Sequence, residues 1–344
     1  MKSVHLDKDR NIWMYFLLMV VLLSSILISL STGRYPLTIK TIVTLFVNIW
    51  IPSPDESLST AATVLFNVRL PRVFGAVLVG MALSGAGACY QSVFRNPMVD
   101  SSLLGVTAGA SLGAAAGILL GFGIIVIQLL AFVCGLGAVF LTMVLSGIVS
   151  RRGDTILTLV LSGIVTGTLL TSCLSLVKYM ADPYSKLPAI TYWLMGSLAS
   201  VNPADTKTAT ITTVAGLIPM LLMRWRIDAL SFGDEEAKSL GVNVRVLRGI
   251  CIAASTLLTA SVISIAGMIG WIGLVVPHLS RMIVGPSFRI LLPVTILLGG
   301  IYLLFVDTLS RFLFPVEIPI GILTSILGAP FFILLLIKGK RGWL

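Results

Sequence analysis

The sequence has few of the groups on which soluble enzymes depend. Only 11% of its 344 residues are charged, two are histidines and four are cysteines. It contains no Gly-x-x-x-x-Gly-Lys-Ser/Thr loop of the kind that cradles a nucleotide phosphate. Soluble domains carry roughly 25% charged residues. Here 57% of the residues are hydrophobic and the mean hydropathy is +1.03, which predicts an integral membrane protein.

The histidines and cysteines are too few and too scattered for a metal site. Two histidines, His5 and His278, cannot form such a site alone, and no Cys-x-x-Cys pair is present. Each cysteine lies singly in an apolar segment, so we expect all four to be small packing residues. They are Cys89, Cys134, Cys173 and Cys251.

Apolar runs bounded by glycine, proline or charge predict ten membrane-spanning helices, since each span needs about 20 residues. The first run lacks a small-residue cleavage site and is interpreted as a retained helix rather than a signal peptide. The expected fold is an all-α polytopic membrane protein with a single domain over residues 1–344. The predicted spans are 11–32, 71–93, 101–121, 124–149, 156–179, 206–225, 244–264, 270–284, 289–312 and 322–338.

Lysine and arginine indicate the orientation of these spans. Ten spans place both termini on one side, and assigning that side to the cytoplasm puts about two thirds of the 24 basic residues inside. The basic residues sit at span ends and form no patch interleaved with aromatic residues. Topology rather than nucleic-acid binding therefore accounts for the net charge of +10, and both termini are expected in the cytoplasm.

Acidic residues are nearly absent from the predicted spans. Of the 14 acids, only Asp307 falls inside a span, and Arg311 follows it at the i, i+4 spacing of a local ion pair. A carrier driven by ions normally keeps ionisable groups at mid-membrane. The pattern argues against a secondary carrier, and the lack of a nucleophile, base or metal cluster argues against an intramembrane enzyme.

Glycines recur every four residues in the third predicted span, which would give one helix face of bare backbone. Close packing within the subunit and the lining of a conduit are both consistent with this pattern. A shorter case occurs at Gly163 and Gly167 in the fifth span, and the transport pathway is expected to be apolar and glycine-lined. The glycines of the third span are Gly105, Gly109, Gly113, Gly117 and Gly121.

One soluble-looking insert, residues 231–241, interrupts the apolar pattern. Ser231 and Asp234 have the spacing of a capping box, and Gly241 is a natural C-terminal stop. Acidic residues at its start and a lysine near its end suit the helix dipole. Ala237 and Leu240 would form a small apolar face for a partner's groove. The insert predicts a short cytoplasmic helix, either a solvated loop helix or a docking point for a soluble motor.

Several motifs between residues 69 and 330 resemble, in their order, those of one known family. They are Arg69-Leu-Pro-Arg72, Gln91-Ser-Val-Phe-Arg-Asn-Pro97, Leu104-Gly-Val-Thr-Ala-Gly109, Tyr192-Trp-Leu-Met-Gly196, the insert from Gly233 to Gly241, Gly270-Trp-Ile-Gly-Leu-Val-Val-Pro-His278, Glu317-Ile-Pro-Ile-Gly321 and Leu327-Gly-Ala-Pro330. The chain resembles the FecCD permease subunits of type II ATP-binding-cassette (ABC) importers for vitamin B12, haem and iron–siderophore complexes.

The resemblance implies a homodimer of ten-helix subunits in a prokaryotic cytoplasmic (inner) membrane, with the substrate path along the dimer interface. It implies two ABC ATPase subunits on the cytoplasmic face and one substrate-binding protein outside, either periplasmic or lipid-anchored. ATP and Mg would be bound by the ATPase, so no cofactor is expected in this chain. The expected substrate is an iron chelate, ferric siderophore or haem. The alternatives are cobalamin or a molybdate-type oxyanion within the family, and a stand-alone carrier or channel outside it.

The resemblance also implies roles for particular residues. Arg69, Arg72 and Arg311 match outer arginines that dock acidic residues of the binding protein, and the alternative is that they anchor helix ends at the headgroups. The coupling helix that enters a cleft on the ATPase would comprise Gly233, Asp234, Glu235, Glu236, Ala237, Lys238, Leu240 and Gly241.

The family's cytoplasmic gate maps near Asn96 to Met98 and near Thr155, Ile156 and Leu157. The family often has small hydroxyl residues in the second stretch, whereas Ile156 and Leu157 are apolar, so a hydrophobic constriction is the alternative there. His278 belongs to a family motif and is expected to be structural.

Overall fold

The computed structural model describes residues 2–33, 35–48, 58–149, 155–313 and 315–339. Fifteen α-helices and no strand occur within these ranges. The helices are α1 Lys2–Ser31, α2 Ile39–Asn48, α3 Ser59–Thr63, α4 Leu70–Val93, α5 Val106–Leu119, α6 Ile124–Val149, α7 Thr155–Met180, α8 Lys186–Leu194, α9 Pro203–Leu222, α10 Arg224–Ala229, α11 Asp234–Ser239, α12 Val244–Ala266, α13 Ile272–Val284, α14 Phe288–Phe312 and α15 Ile320–Gly339.

Ten of these helices correspond to the ten predicted spans, which confirms the all-α polytopic fold. Six helical segments in the described ranges are long and apolar enough to cross a membrane by themselves. They contain α1, α4, α6, α7, α12 and α14. Helix α9 forms a bent pair with the segment that follows it, at an angle of 59°, and α5, α13 and α15 are shorter apolar helices.

The second span begins earlier than the sequence predicts. Helical structure runs from Ser59 through α3 and a π-helical turn, Val64–Arg69, into α4. The predicted span begins at Pro71, and proline suits the first turn of a helix. In the structure a wider π-helical turn precedes Pro71, and the N–H of Leu70 bonds to the carbonyl of Leu65. Helical structure therefore continues through Pro71, which has no N–H to donate.

Helix α4 lies at the centre of the molecule. It packs against α9, α12, α13 and α14, and most of its side chains are buried. Its crossing with α14 is close, because a Cβ on Gly80 would overlap the carbonyl of Gly299. The hydroxyl of Ser84 donates to the carbonyl of Thr295 at 3.1 Å in the same crossing. Helix α1, by contrast, packs mainly along α14 and leaves most of its apolar surface exposed.

The glycines of the third span pack within the subunit. Positive φ angles at Gly105 (86°) and Gly121 (78°) bound the short helix α5, so only the three inner glycines lie on it and the prediction of one continuous helix face is wrong at both ends. A Cβ on Gly109 or Gly113 would collide with backbone carbonyls of α6. Gly163 in α7 likewise faces the carbonyl of Leu103. The packing interpretation is confirmed at these positions.

The four cysteines are free thiols in different surroundings. Cys89 and Cys251 are buried, as expected of packing residues, and Cys134 is half-buried. Cys173 is exposed on α7, so the prediction that all four are core residues is wrong for this one.

Candidate functional site: two polar ends and a central cavity

The insert at 231–241 contains a six-residue helix, α11, whose start differs from the prediction. Gly233, with φ of 123°, is the N-cap residue, and the capping box proposed for Ser231 and Asp234 is absent. The hydroxyl of Ser231 instead donates to the carbonyl of Asp228 at 2.6 Å. The reason is local: a 3-10 turn over Leu230–Phe232 keeps Ser231 in the preceding element.

The C-terminal stop at Gly241 is confirmed. Gly241 has φ of 78° and its N–H bonds to the carbonyl of Lys238 at 2.8 Å. The N–H of Val242 reaches back to the carbonyl of Ala237 at 3.0 Å, which completes a Schellman motif. Val242 and Ala237 are both buried, so this cap fixes the end of α11 against the bundle.

The start of α11 is tied to two other elements through Asp234. Nη2 of Arg248 in α12 donates to both carboxylate oxygens of Asp234 at 3.1 Å. Nη2 of Arg95, in the loop after α4, lies 3.8 Å from the same carboxylate. Arg95 has φ of 50°, unusual for a residue with a side chain. A displacement of α11 would therefore be transmitted directly to α12 and to the loop after α4.

The apolar surface of α11 is not the one predicted. Ala237 is 0% exposed and packs into the protein core, so it is not available to a partner. Leu240 is 55% exposed and Phe232 is 71% exposed, and these two flank an open depression that Glu235, Glu236 and Ser239 complete. The carboxylate of Glu235 accepts a 2.8 Å bond from Lys238 and raises the pKa of that ammonium group.

The residues assigned to a gate lie in two separate elements. In the loop after α4, Oδ1 of Asn96 accepts a 2.9 Å bond from the N–H of Met98, and both residues are exposed. Thr155 begins α7, Ile156 is half-buried against the core and Leu157 is 57% exposed. The gate assignment stays a prediction.

The opposite end of the bundle carries a buried ion-pair cluster around Asp307. This carboxylate is 0% exposed and lies 2.9 Å from Nε of Arg72 and 3.1 Å from Nε of Arg311. The contact with Arg311 is not an aligned hydrogen bond, because that Nε donates to the Asp307 carbonyl at 3.4 Å instead. Nη1 of Arg72 also binds both oxygens of Glu317, at 2.9 and 3.1 Å. The predicted local pair of Asp307 and Arg311 is thus confirmed as part of a larger cluster.

The three arginines assigned to docking come together at this end but are not free surface charges. Arg69 is 5% exposed, Arg72 is 7% exposed and Arg311 is half-buried. The guanidinium groups of Arg69 and Arg311 bind oxygen atoms at the end of α1 and just after it, and Arg72 is held by the two carboxylates. Their guanidinium groups are engaged within the subunit in this conformation, and the docking role stays a prediction. The oxygen atoms are the carbonyls of Leu30, Thr32 and Tyr35 and the hydroxyl of Ser29.

A central cavity of about 570 Å³ lies between α5, α8, α12, α13 and α15. Apolar residues, including Met195, Met268 and Trp271, form most of its wall. No lysine or arginine occurs among its described lining residues. Polar side chains contribute to the wall beside the apolar residues and glycines that were expected of the pathway. Its polar lining residues are Asp100, Ser101, Ser102, Thr107, Thr259 and Ser325.

A groove of about 420 Å³ along α7 adjoins this cavity and shares Ser102 with it. Four hydroxyl residues of α7 line the groove together with Ser102: Thr168, Thr171, Ser172 and Ser175. The carboxylate of Asp100 accepts bonds from the N–H of Ser102 at 3.0 Å and from its hydroxyl at 2.5 Å. Asp100 therefore fixes the short 3-10 turn that separates the central cavity from the α7 groove. The sequence spacing did not single out this residue.

The chain is similar to known transport proteins over nearly its whole length. The family model of the FecCD transport family matches residues 19–338. The chain is 38% identical over 328 residues to a molybdate import system permease protein of Haemophilus influenzae, which covers 95% of this chain and 96% of that protein. It is 39% identical over 297 residues to a probable iron chelatin transport system permease protein of Helicobacter pylori, covering 83% and 86%.

Two further similarities agree with these. A hemin transport system permease protein of Yersinia pestis is 35% identical over 333 residues, with 95% of each chain covered. A solved structure, described as an inward-facing conformation of a metal-chelate type ABC transporter, superposes with a TM-score of 0.84 at 37% identity and covers 94% of this chain and 99% of its own.

Proposed function

The chain belongs to the FecCD transport family of ABC importer permeases, and we propose that the substrate it carries is an iron chelate, either a ferric siderophore or haem. Relatives named for iron chelatin and for hemin support this substrate class. The observation that carries the proposal is the lining of the central cavity. It combines hydroxyls, thioethers and an indole with a single carboxylate, that of Asp100.

The lining suits a large organic complex better than a small free anion. Proteins hold oxyanions with arginine, lysine or backbone N–H groups. The one charged group among the described lining residues is negative, and it would repel an anion. A chelate of cavity size can instead contact apolar and hydroxyl surfaces weakly along its whole length, which permits passage rather than retention.

The proposed mechanism places the chain in a homodimer with two ATPase subunits and one extracytoplasmic binding protein. The α11 segment enters a cleft on the ATPase, with Phe232 and Leu240 as its apolar contacts. Closure of the ATPase pair moves α11, and Asp234 transmits that motion to α12 through Arg248 and to the loop after α4 through Arg95. A rigid helix anchored at both ends transmits such a displacement better than a flexible loop.

A second candidate substrate is an oxyanion of the molybdate type, because one relative at 38% identity is named a molybdate permease. Cobalamin is a third, since a vitamin B12 permease of Yersinia enterocolitica is 33% identical. Both would use the same subunit arrangement and differ only in the cargo that the binding protein delivers.

Uptake into proteoliposomes distinguishes these candidates. The purified chain is reconstituted with its ATPase and binding protein, and ATP-dependent accumulation is measured for a ferric siderophore, haem, molybdate and cobalamin. Accumulation of a ferric siderophore or haem alone is the expected result. Accumulation of molybdate or cobalamin instead would overturn the substrate assignment, and uptake by the chain without an ATPase would overturn the importer mechanism.

A further inference from the structure

Arg281 is a half-buried cation with one buried, unsatisfied donor. It lies in the last turn of α13, and its Nη2 donates to Oε1 of Gln91. Gln91 is itself fixed, because its Nε2 donates to the carbonyl of Gly273 at 3.0 Å. Nη1 of Arg281 is buried and has no hydrogen-bond partner. Within the described ranges, no carboxylate oxygen lies within 4.0 Å of this guanidinium.

The chain's other buried or half-buried arginines have their guanidinium groups compensated within the subunit. Arg72, Arg248 and Arg311 each have a carboxylate within 3.1 Å, and Arg69 donates to the backbone carbonyls of Leu30 and Tyr35. Burying a charge is costly unless it is paired and hydrogen-bonded. A negative group from outside the chain would give Arg281 the charge partner that Arg72, Arg248 and Arg311 have within the chain.

A cavity of about 280 Å³ beside Arg281 has room for such a group. We call it the arginine cavity. It is lined by Arg281, Arg95, Gln91, Asn96 and Asp228, among others. The carboxylate of Asp228 is the one acidic group in this lining, and both of its oxygens are engaged. They accept bonds of 2.9 Å from the hydroxyl of Ser287 and 2.8 Å from the N–H of Phe288. Two guanidinium groups therefore face one carboxylate that already holds the start of α14.

The position of the arginine cavity indicates the source of the negative group. Helix α4 ends at Val93 and α13 at Val284, while α14 begins at Phe288, so three apolar helices end around it. The ends of membrane spans lie at the depth of the lipid headgroups. Basic pockets between helices at this depth accept anionic headgroups, and the planar guanidinium of arginine matches the oxygens of a phosphate.

We propose that the arginine cavity binds the phosphate of an anionic phospholipid, with Arg281 and Arg95 as its ligands. Arg95 also contacts Asp234 of α11, so a bound headgroup would brace the loop between α4 and the coupling segment. A lipid in this place would make the orientation of α11 depend on the composition of the membrane.

Native mass spectrometry of the full-length chain in a neutral detergent tests this proposal. Phosphatidylglycerol and phosphatidylcholine are added separately to the wild type, to Arg281→Gln and to the matched control Arg289→Gln. Arg289 is exposed at the start of α14 and does not line the cavity. Hydrogen bonds to charged groups contribute about 1.5–3 kcal/mol each, so the wild type should prefer phosphatidylglycerol by about tenfold or more. R281Q should lose this preference and R289Q should keep it.

Thermal unfolding without added lipid shows whether R281Q is folded. Because the substitution removes a half-buried charge that has no carboxylate partner, R281Q should be at least as stable as the wild type in neutral detergent. If it is not, Arg281→Lys replaces it, and this variant should retain charge but bind phosphatidylglycerol more weakly than arginine does. An equal preference in the wild type and the Arg281 variant would overturn the proposal. Binding of inorganic phosphate that depends on Arg281, without any preference among lipids, would overturn the assignment to a headgroup.

Discussion

The carboxylate of Asp234 in α11 accepts two hydrogen bonds, each 3.1 Å long, from a single nitrogen of Arg248 in α12. The side chain of Arg248 is 9% exposed and that of Asp234 is 33% exposed, so the pair joins the surface helix to the interior of the bundle. A force applied to the exposed side of α11 would reach α12 through this contact.

Replacing Asp234 with asparagine tests whether this contact transmits motion. The substitution weakens the links to Arg248 and Arg95, and we expect ATP-driven uptake by the reconstituted importer to fall severalfold. The free energy of unfolding should fall by only about 1 kcal/mol, because the carboxylate is partly solvated. Asp182→Asn, the same change in an exposed turn at residues 181–185, is the control and should leave uptake intact. Unimpaired uptake by Asp234→Asn would rule out the transmitting role.

Aspartate substitutions at Leu240 and Ala237, three residues apart, should affect different properties, namely ATPase association and the stability of the chain. Leu240→Asp places a charge on the exposed apolar surface of α11 and should weaken ATPase association by about tenfold or more without changing stability. Ala237→Asp places a charge in the core and should destabilise the chain itself. Biolayer interferometry with the purified ATPase measures the first effect and thermal unfolding the second. ATPase association that is unchanged by Leu240→Asp would show that this surface is not the contact.

Removing the charge of Asp307 should be strongly destabilising. Asp307→Asn leaves Arg72 and Arg311 buried with less compensation, and breaking a buried pair in this way costs about 3–5 kcal/mol. Glu317→Gln is the matched control, since that carboxylate is 36% exposed and its loss should cost at most about 1 kcal/mol. Denaturant unfolding in detergent measures both. Equal stability of Asp307→Asn and the wild type would mean that the cluster does not stabilise the fold.

Glu317→Gln also tests the docking role of the outer arginines. Glu317 binds Nη1 of Arg72 and so occupies the part of the guanidinium that a partner's carboxylate would need. If Arg72 docks the binding protein, this variant should bind it more tightly than the wild type, most clearly at low salt. Surface plasmon resonance at two salt concentrations measures the change. Identical affinities at low salt would indicate that the arginines serve the fold alone.

The packing of α5 on α6 gives a prediction with an internal control. A Cβ on Gly113 would collide with the backbone carbonyl of Leu130, whereas a Cβ on Gly137 of α6 would meet nothing within 4 Å. Gly113→Ala should therefore lower the free energy of unfolding by about 1–3 kcal/mol, as overpacking does. Gly137→Ala should leave it unchanged or slightly raised, because alanine is the better helix former. Thermal unfolding that shows the same result for both variants would contradict the close crossing.

The sequence predicted the helices well and their surfaces less well. Apolar runs depend on local composition, so ten spans and the C-terminal stop at Gly241 could be read without tertiary information. Ser231 and Asp234 have capping-box spacing, but the intervening 3-10 turn gives the hydroxyl of Ser231 a different acceptor. Which acceptor the hydroxyl finds depends on the path of the preceding helix, and the spacing of residues in the sequence carries no information about that path.

Burial of single residues was the main source of error. Ala237 and Leu240 look equivalent in the sequence, and only the position of α11 against the core separates them. Arg69 and Arg72 mark the start of a span, where free charges are common, but residues from other helices and from the end of α1 approach their guanidinium groups. Asp307 was recognised as exceptional because an acid within an apolar run is rare. Its second partner, Arg72, is 235 positions away in the chain, and no periodicity reveals such a contact.

Helix α4 is long and apolar enough to cross a membrane in a single piece. Its 24 residues span about 36 Å at 1.5 Å per residue. Near one end Arg72 joins the Asp307 cluster, and near the other Gln91 holds Arg281. In the proposed mechanism, a tilt of α4 at the end where the binding protein would dock would displace the loop that contacts α11 at the other end. The arrival of a loaded binding protein would then be transmitted along α4 to the coupling segment before the substrate crosses the membrane.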